Sequence, residues 1–172
     1  LECSENTKFC ILEMGARHLG DISKLERTFL PDLGVVLGVG SAHIGVFGSQ
    51  EIIAKAKSEM VSNLEPEKIA ILGSYDDLTV SMKNLTKANV ITFGENSNND
   101  VRATDVEIRE GFAHFDLVTS YGRESVALRQ AGRHQVANAF AAAAIATALH
   151  LPIDKISAGL STAESANKWR ME

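Results

Sequence analysis

Apolar and polar positions in the first half of the chain follow two periods, one typical of buried strands and one of amphipathic helices. Short apolar runs predict strands, and apolar residues spaced three and four positions apart predict helices. The predicted strands are residues 9–12, 34–39, 68–72 and 89–93. The predicted helices are residues 21–29, 50–64 and 76–87. Because the two kinds of element alternate, we expect a parallel sheet with crossover helices.

The stretch from Val101 to Gln130 has a different pattern. Apolar and polar residues alternate one by one and are interrupted at Gly111 and Gly122, which is typical of an antiparallel meander. An alanine-rich helix is predicted from His134 to Leu149 and a shorter helix from Asp154 to Ala163. The predicted fold class is therefore α/β, a mostly parallel sheet flanked by helices, with a small antiparallel β meander.

Composition narrows the classes of protein that fit this pattern. The 172 residues are 45% hydrophobic, enough for one sizeable core, and the net charge of −5 comes without a basic block. We therefore expect neither nucleic-acid binding nor membrane association, since the apolar runs are also too short to span a bilayer. Cys3 and Cys10 fit no common zinc or redox spacing, which favours free thiols in a reducing cytoplasm. We expect a cytoplasmic monomer.

Two polar residues follow predicted strands directly or closely. Glu13 comes after the strand at residues 9–12, and His43 lies in the loop after the strand at residues 34–39. Ligands of open α/β sheets bind beyond the carboxyl ends of the strands, so a carboxylate and an imidazole there could hold a divalent metal ion. The alternative is structural: Glu13 would cap a helix terminus, and His43 would bond to a loop carbonyl.

Lys57 occupies an unusual position on its predicted helix. It shares a face with the apolar residues Ile53, Met60 and Leu64, whereas Lys55 lies on a polar face with Glu59 and other polar residues. Lys55 therefore reads as ordinary solvated surface. Lys57 either extends its amine outward to water or has a partner or a modification at the edge of the apolar stripe.

The alanine-rich helix carries a candidate binding face for a flat ligand. His134 and Asn138 are one turn apart, and small alanines follow them. The alternative is that His134 or Gln135 caps the helix start and that Asn138 points to water. Arg170, near the chain end, is uninformative by position alone.

Several motifs resemble those of the Mur ligase family, and they occur in the family's order along nearly the whole chain. They are Ile11-Leu12-Glu13-Met14-Gly15-Ala16, Gly40-Ser41-Ala42-His43, Phe47-Gly48-Ser49, the segment from Ala54 to Glu59, the segment from Gly132 to Ala143, and Lys168-Trp169-Arg170-Met171-Glu172. Within that family, these motifs are most similar to those of the members that add D-alanyl-D-alanine to a UDP-N-acetylmuramoyl-tripeptide.

The resemblance implies an ATP-dependent ligase of peptidoglycan precursor synthesis, in which ATP phosphorylates the tripeptide carboxylate and the dipeptide amine attacks the acyl phosphate. By position, Glu13 and His43 match family residues that hold Mg²⁺, and Lys57 matches a lysine that family members carbamylate. Asn138 matches an adenine-contacting asparagine, beside the candidate His134, and Arg170 matches an arginine near the nucleotide.

The departures from the family pattern limit what these residues alone can do. No Gly-x-x-Gly-Lys-Thr/Ser phosphate-binding loop occurs in the sequence, although the resemblance places one upstream of Glu13. Residues 1–172 are therefore interpreted as a partial central ATP-binding domain that is inactive by itself, with residues 101–130 as a β subregion. The alternatives are a ligase like folylpolyglutamate synthase, and a non-catalytic interaction or regulatory module that keeps the fold.

Overall fold

A parallel three-stranded sheet forms the first part of the fold. The computed structural model describes residues 3–40 and 44–164, and its parallel sheet contains β1 (Leu33–Val36), β2 (Ile69–Gly73) and β3 (Asn89–Phe93) in the order β1-β2-β3. Leu33 pairs with Ile69, and Ile69 with Asn89, so the three strands begin level with one another. Their carboxyl ends consequently meet at one edge.

One helix precedes β1 and the others lie between the strands, so helices and strands alternate as the sequence pattern predicts. These helices are α1 (Asp21–Phe29), α2 (Ile44–Phe47), α3 (Gln50–Ser62) and α4 (Asp77–Ser81), the last extended by a 3₁₀ turn at Met82–Asn84. The side chain of Ser49 accepts from the Ile52 amide and so caps α3, while Asp76 caps α4. A first core joins β1 and β2 to α3 and the 3₁₀ turn, through Val36, Ile53, Val61, Leu72 and Met82.

The predicted meander is present as a separate antiparallel sheet. It contains β4 (Arg102–Arg109), β5 (Phe112–Thr119) and β6 (Gly122–Ala131) in sequence order. The β4–β5 turn places Glu110 and Gly111 at φ of 52° and 87°, the left-handed conformation that both central residues of a tight hairpin turn need; Gly111 adopts it without strain. A parallel bridge between Phe93 and Val101 links this sheet to β3.

The alanine-rich helix α5 (His134–Ala148) packs against both sheets, and α6 (Ile153–Thr162) packs on β6. Phe140 of α5 is fully buried and meets Phe115 of β5 edge to face, at 5.4 Å between ring centroids. Alanines elsewhere on α5 let its backbone come close to neighbouring strands, and Ala143 and Ala144 are completely buried. This second core also buries Ile71, Phe93, Val101, Leu117 and Val126. None of the helices in the described ranges is both long and apolar enough to cross a membrane.

Three local predictions were wrong. Residues 3–20 form neither helix nor strand, and Phe9 and Ile11 are 60% and 85% exposed, so the strand at residues 9–12 is absent. An apolar run specifies a strand only when another strand is available to pair with it. The helix predicted at residues 76–87 gives way to a 3₁₀ turn after Ser81, whose hydroxyl donates to the Leu78 carbonyl and so competes with the backbone. The loop predicted after the strand at residues 34–39 is followed at once by a short helix, α2, which the sequence pattern did not indicate.

A glutamate of α3 caps the start of α1 from outside that helix. The Gly20 amide donates to Glu59 Oε1 at 2.7 Å, and the Ser23 amide donates to Glu59 Oε2 at 3.1 Å. The α1 N-terminus receives no side-chain cap from Gly20 itself, so the carboxylate satisfies two amides that the helix leaves free and lies at the positive end of its dipole. Glu59 therefore makes a tertiary contact between α3 and α1. This corrects the sequence-based interpretation of the polar face of α3 as solvated surface.

We expect Glu59→Gln to lower the free energy of unfolding by about 1 kcal/mol, because an amide side chain has only one acceptor oxygen for two amide donors and carries no charge. Urea unfolding followed by circular dichroism measures the change. Glu124→Gln, which removes the same charge from an exposed position on β6, should leave stability within about 0.5 kcal/mol of the parent. Equal losses in the two variants would contradict the capping role.

Candidate functional site

The site begins at the carboxyl end of β1, where the chain leaves the sheet. Here the amine Nζ of Lys57 donates to the backbone carbonyl of Gly38 at 2.6 Å. The lysine is half-buried and lies on α3, the crossover helix that follows this loop. The amine thus has a specific partner at the functional edge of the sheet, and the alternative in which Lys57 extends outward to water is wrong.

Side chains also hold the next residue of the loop. The Val39 amide donates to Asp76 Oδ2 at 2.9 Å, and the Gln50 side-chain amide donates to the Val39 carbonyl at 3.0 Å. Val39 itself is 4% exposed. Sequence reasoning missed Asp76 and Gln50 as site residues, although Asp76 follows β2 as Gly38 follows β1, and that shared position is the signal that could have found it.

The predicted metal ligands are only partly described. Glu13 is exposed within a segment that has no secondary structure, so its predicted place at a strand end was wrong. His43 lies outside the described residues. Within residues 3–40 and 44–164, no three His, Cys, Asp or Glu side chains are grouped closely enough to hold a metal ion. A metal site that combines Glu13, His43 and Lys57, as the family resemblance implies, therefore stays a prediction.

The chemistry of Lys57 decides whether a cation fits beside it. An ammonium group offers three donors and no acceptor, so an unmodified Lys57 would repel a divalent cation. A carbamate would bring two anionic oxygens and keep one N–H, which is enough for the bond to the Gly38 carbonyl. The position of the amine thus fits a metal site only in the modified form that the family resemblance implies.

On the side predicted to contact the nucleotide, polar side chains at the start of α5 form a hydrogen-bonded chain. The Asn138 amide donates to Gln135 Oε1 at 3.0 Å, and Gln135 Nε2 lies 3.1 Å from His134 Nε2. No side chain caps the start of α5, so the alternative of a capping role for His134 or Gln135 is wrong. His134 and Asn138 are exposed, and Arg133 before them bonds to Glu95 after β3 at 2.8 Å. Arg170 lies outside the described residues.

A shallow cavity of about 140 Å³ lies beside Asn138. Its lining includes Gln135, Ala139 and Ala142 of the same helix, with Leu128 of β6 and Leu160 of α6. This volume is smaller than the roughly 300–1,000 Å³ of sites that enclose a whole ligand. The cavity therefore suits one flat ring, with apolar walls for its faces and the Asn138 amide for a polar edge.

Tyr75 adds a neutral phenol to the edge of the sheet after β2. Its ring meets Phe93 at 6.2 Å between centroids, and burial, with a smaller contribution from the negative charge of Glu95, raises the pKa of Tyr75 to about 12. The ring remains 43% exposed. At neutral pH this position therefore offers a hydrogen-bond donor and an aromatic surface, without adding charge.

Comparison with known proteins places these features in a family. The sequence pattern of the Mur ligase middle domain matches residues 1–146. The chain belongs to the Mur ligase family. It is 35% identical, over 173 aligned residues, to the UDP-N-acetylmuramoyl-tripeptide–D-alanyl-D-alanine ligase of Mycobacterium tuberculosis (strain H37Rv); the alignment covers all of this chain and 34% of the relative.

Solved structures give the same picture. MurF from Acinetobacter baumannii superposes with a TM-score of 0.89 at 35% identity, covering 96% of this chain and 36% of that protein. MurF ligase from Thermotoga maritima, solved in complex with ADP, gives a TM-score of 0.76 at 27% identity, with 88% and 35% covered. The chain thus spans about a third of the length of the relatives it matches.

Proposed function

We propose that this chain is the ATP-handling part of a ligase that adds D-alanyl-D-alanine to UDP-N-acetylmuramoyl-tripeptide in peptidoglycan precursor synthesis. The observation that carries the proposal is the amine of Lys57, which is held at the carboxyl end of β1 where the family resemblance requires a carbamylated lysine. The similarity of the whole chain to the D-alanyl-D-alanine-adding ligases supports the choice of substrates. We assign residues 1–172 to the central domain, including α6 beyond the matched segment.

In the proposed reaction, the γ-phosphoryl group of ATP passes to the tripeptide carboxylate, and ADP leaves. The amine of D-alanyl-D-alanine then attacks the acyl carbon, and phosphate departs as the peptide bond forms. Mg²⁺, held by Glu13, His43 and carbamylated Lys57, would neutralise charge on the phosphate oxygens. Asn138, His134 and Arg170 would bind the nucleotide, with Asn138 at the edge of the adenine ring.

The remaining parts of the proposal follow from the substrates. ATP and a UDP-linked precursor are cytoplasmic molecules, so the ligase would act in the cytoplasm, and we propose that it does so as a monomer. The 172 residues alone would be inactive because they contain no Gly-x-x-Gly-Lys-Thr/Ser loop for the phosphates.

The test uses the full-length protein that contains this chain. Phosphate release is measured with ATP, Mg²⁺, UDP-N-acetylmuramoyl-tripeptide and D-alanyl-D-alanine, and each of the two acceptors is omitted in turn. We expect release that requires both acceptors, together with a product whose mass equals the two joined minus water. Activity only with a folate and glutamate would favour the ligase like folylpolyglutamate synthase. No ATP use with either pair would favour the non-catalytic module.

A further inference from the structure

The loop after β1 is fixed by side chains from α3 and from the start of α4. Gly38 and Val39 lie beyond the last ladder residue of the strand, and three of their backbone groups bond to side chains. The Gly38 carbonyl accepts from Lys57, the Val39 carbonyl accepts from Gln50, and the Val39 amide donates to Asp76. A short piece of irregular backbone is therefore held on both sides of Val39.

Asp76 joins this loop to a helix. Its Oδ1 accepts from the Thr79 amide at 2.7 Å, which caps α4, while its Oδ2 accepts from the Val39 amide at 2.9 Å. The Thr79 hydroxyl lies within 3.0 Å of both oxygens, and Thr79 is fully buried. The carboxylate thus has fixed partners on both oxygens, and bonds from amides to an ionised acceptor are stronger than neutral ones.

We propose that Asp76 is a positioning residue of the ligase site: it fixes the backbone of Val39, next to Gly38, whose carbonyl accepts from the candidate ligand Lys57. The proposal rests on the proposed function. Residues that orient metal ligands from behind are worth about 10- to 100-fold in metal affinity or activity. Asp76 touches neither substrate nor metal in this scheme and acts through the backbone of Val39.

The substitution Asp76→Asn separates the two roles of the carboxylate, which are to cap α4 and to bind the Val39 amide. Asparagine caps helices about as well as aspartate, but its side chain has one acceptor oxygen, and its NH₂ group cannot accept from the Val39 amide. When the oxygen keeps the Thr79 bond, the Val39 bond is lost. Asp77→Asn is the matched control, since Asp77 is exposed on the first turn of α4 and loses the same charge at the same helix end.

The first measurement needs no catalysis. In hydrogen exchange on the full-length protein without metal, we expect Asp76→Asn to speed exchange of the Val39 amide about tenfold or more, with α5 peptides unchanged. Asp77→Asn should match the parent. Unchanged exchange at Val39 in Asp76→Asn would overturn the proposal. If Asp76→Asn does not fold, Gln50→Met, which removes the donor to the Val39 carbonyl at similar side-chain length, must loosen the same segment for the proposal to stand.

The second measurement connects the loop to the site. Titration with Mn²⁺ in place of Mg²⁺ should show affinity about tenfold lower or weaker still in Asp76→Asn, with KM for D-alanyl-D-alanine unchanged. An equal loss in Asp77→Asn, or unchanged Mn²⁺ affinity, would overturn the positioning role. A parent protein without ligase activity would refute the proposed function, whereas the exchange result at Val39 would still report on the loop. The two failures are therefore distinguishable.

Discussion

Replacing Lys57 by alanine in the full-length protein is expected to lower the ligation rate at least about 100-fold, and short carboxylic acids such as acetate should restore part of it. The half-buried amine of Lys57 contacts the Gly38 carbonyl, and a carbamate there would present two oxygens to a metal ion. An added carboxylate can occupy the space left by the deleted side chain and supply comparable oxygens. The measurement is phosphate release at saturating substrates, with and without acetate.

Lys55→Ala is the control for this experiment. Lys55 lies two residues away on the same helix and is exposed, so its loss changes the charge of α3 in the same way but should leave the rate unchanged. Acetate should have no effect on the parent or on this control. Unchanged turnover in Lys57→Ala would mean that the amine only supports the loop through Gly38, and the metal-site assignment of Lys57 would be lost.

The parts of the fold that were predictable are those whose signals are local. The strand Asn89–Phe93 and the helix Asp21–Phe29 begin and end where the sequence pattern puts them. The alternation of apolar and polar residues from Val101 to Gln130 was enough to indicate a separate antiparallel sheet. In each case hydrophobic period, caps and turn glycines agree, so no distant contact was needed to decide the element.

The parts that were missed depend on contacts between distant residues. The apolar segment at residues 9–12 looks like a strand by composition, but composition does not show which strand would pair with it. Glu59 lies on a helix face that reads as solvated, and its partners Gly20 and Ser23 are 39 and 36 residues away. Periodicity describes one helix at a time and therefore cannot reveal a cap donated by another helix.

The same distinction applies to the candidate site. Lys57 could be identified as a candidate from the sequence, because the periodicity of one helix places this charged residue on an apolar face. Asp76 was not, because its contact with Val39 joins residues 37 apart in sequence. A helix-capping role fully explained an aspartate at that position, so nothing local indicated that its second oxygen holds the loop after β1.

The second large expected effect concerns nucleotide binding by the 172-residue chain. We expect the purified chain to bind ATP, ADP and adenosine weakly, with affinities for ATP and ADP that agree within about a factor of ten. The cavity beside Asn138 can take one ring, whereas the sequence has no loop of the Gly-x-x-Gly-Lys-Thr/Ser kind to hold the phosphates. Isothermal titration calorimetry with the three ligands, in the presence of Mg²⁺, measures the ratio.

Asn138→Ala tests whether the residual binding occurs at this cavity. Removing the amide should weaken adenosine binding by about three- to tenfold, because a hydrogen bond to the ring edge is lost while the apolar walls of Ala139 and Ala142 remain. The same variant should weaken ATP and ADP by the same factor, since all three ligands share the adenine. A strong preference of the parent chain for ATP over ADP, or phosphate release by the chain alone, would mean that another group in these residues binds the γ-phosphate. In that case this chain would itself supply the phosphate contacts, and the catalytic assignment would have to start from that group.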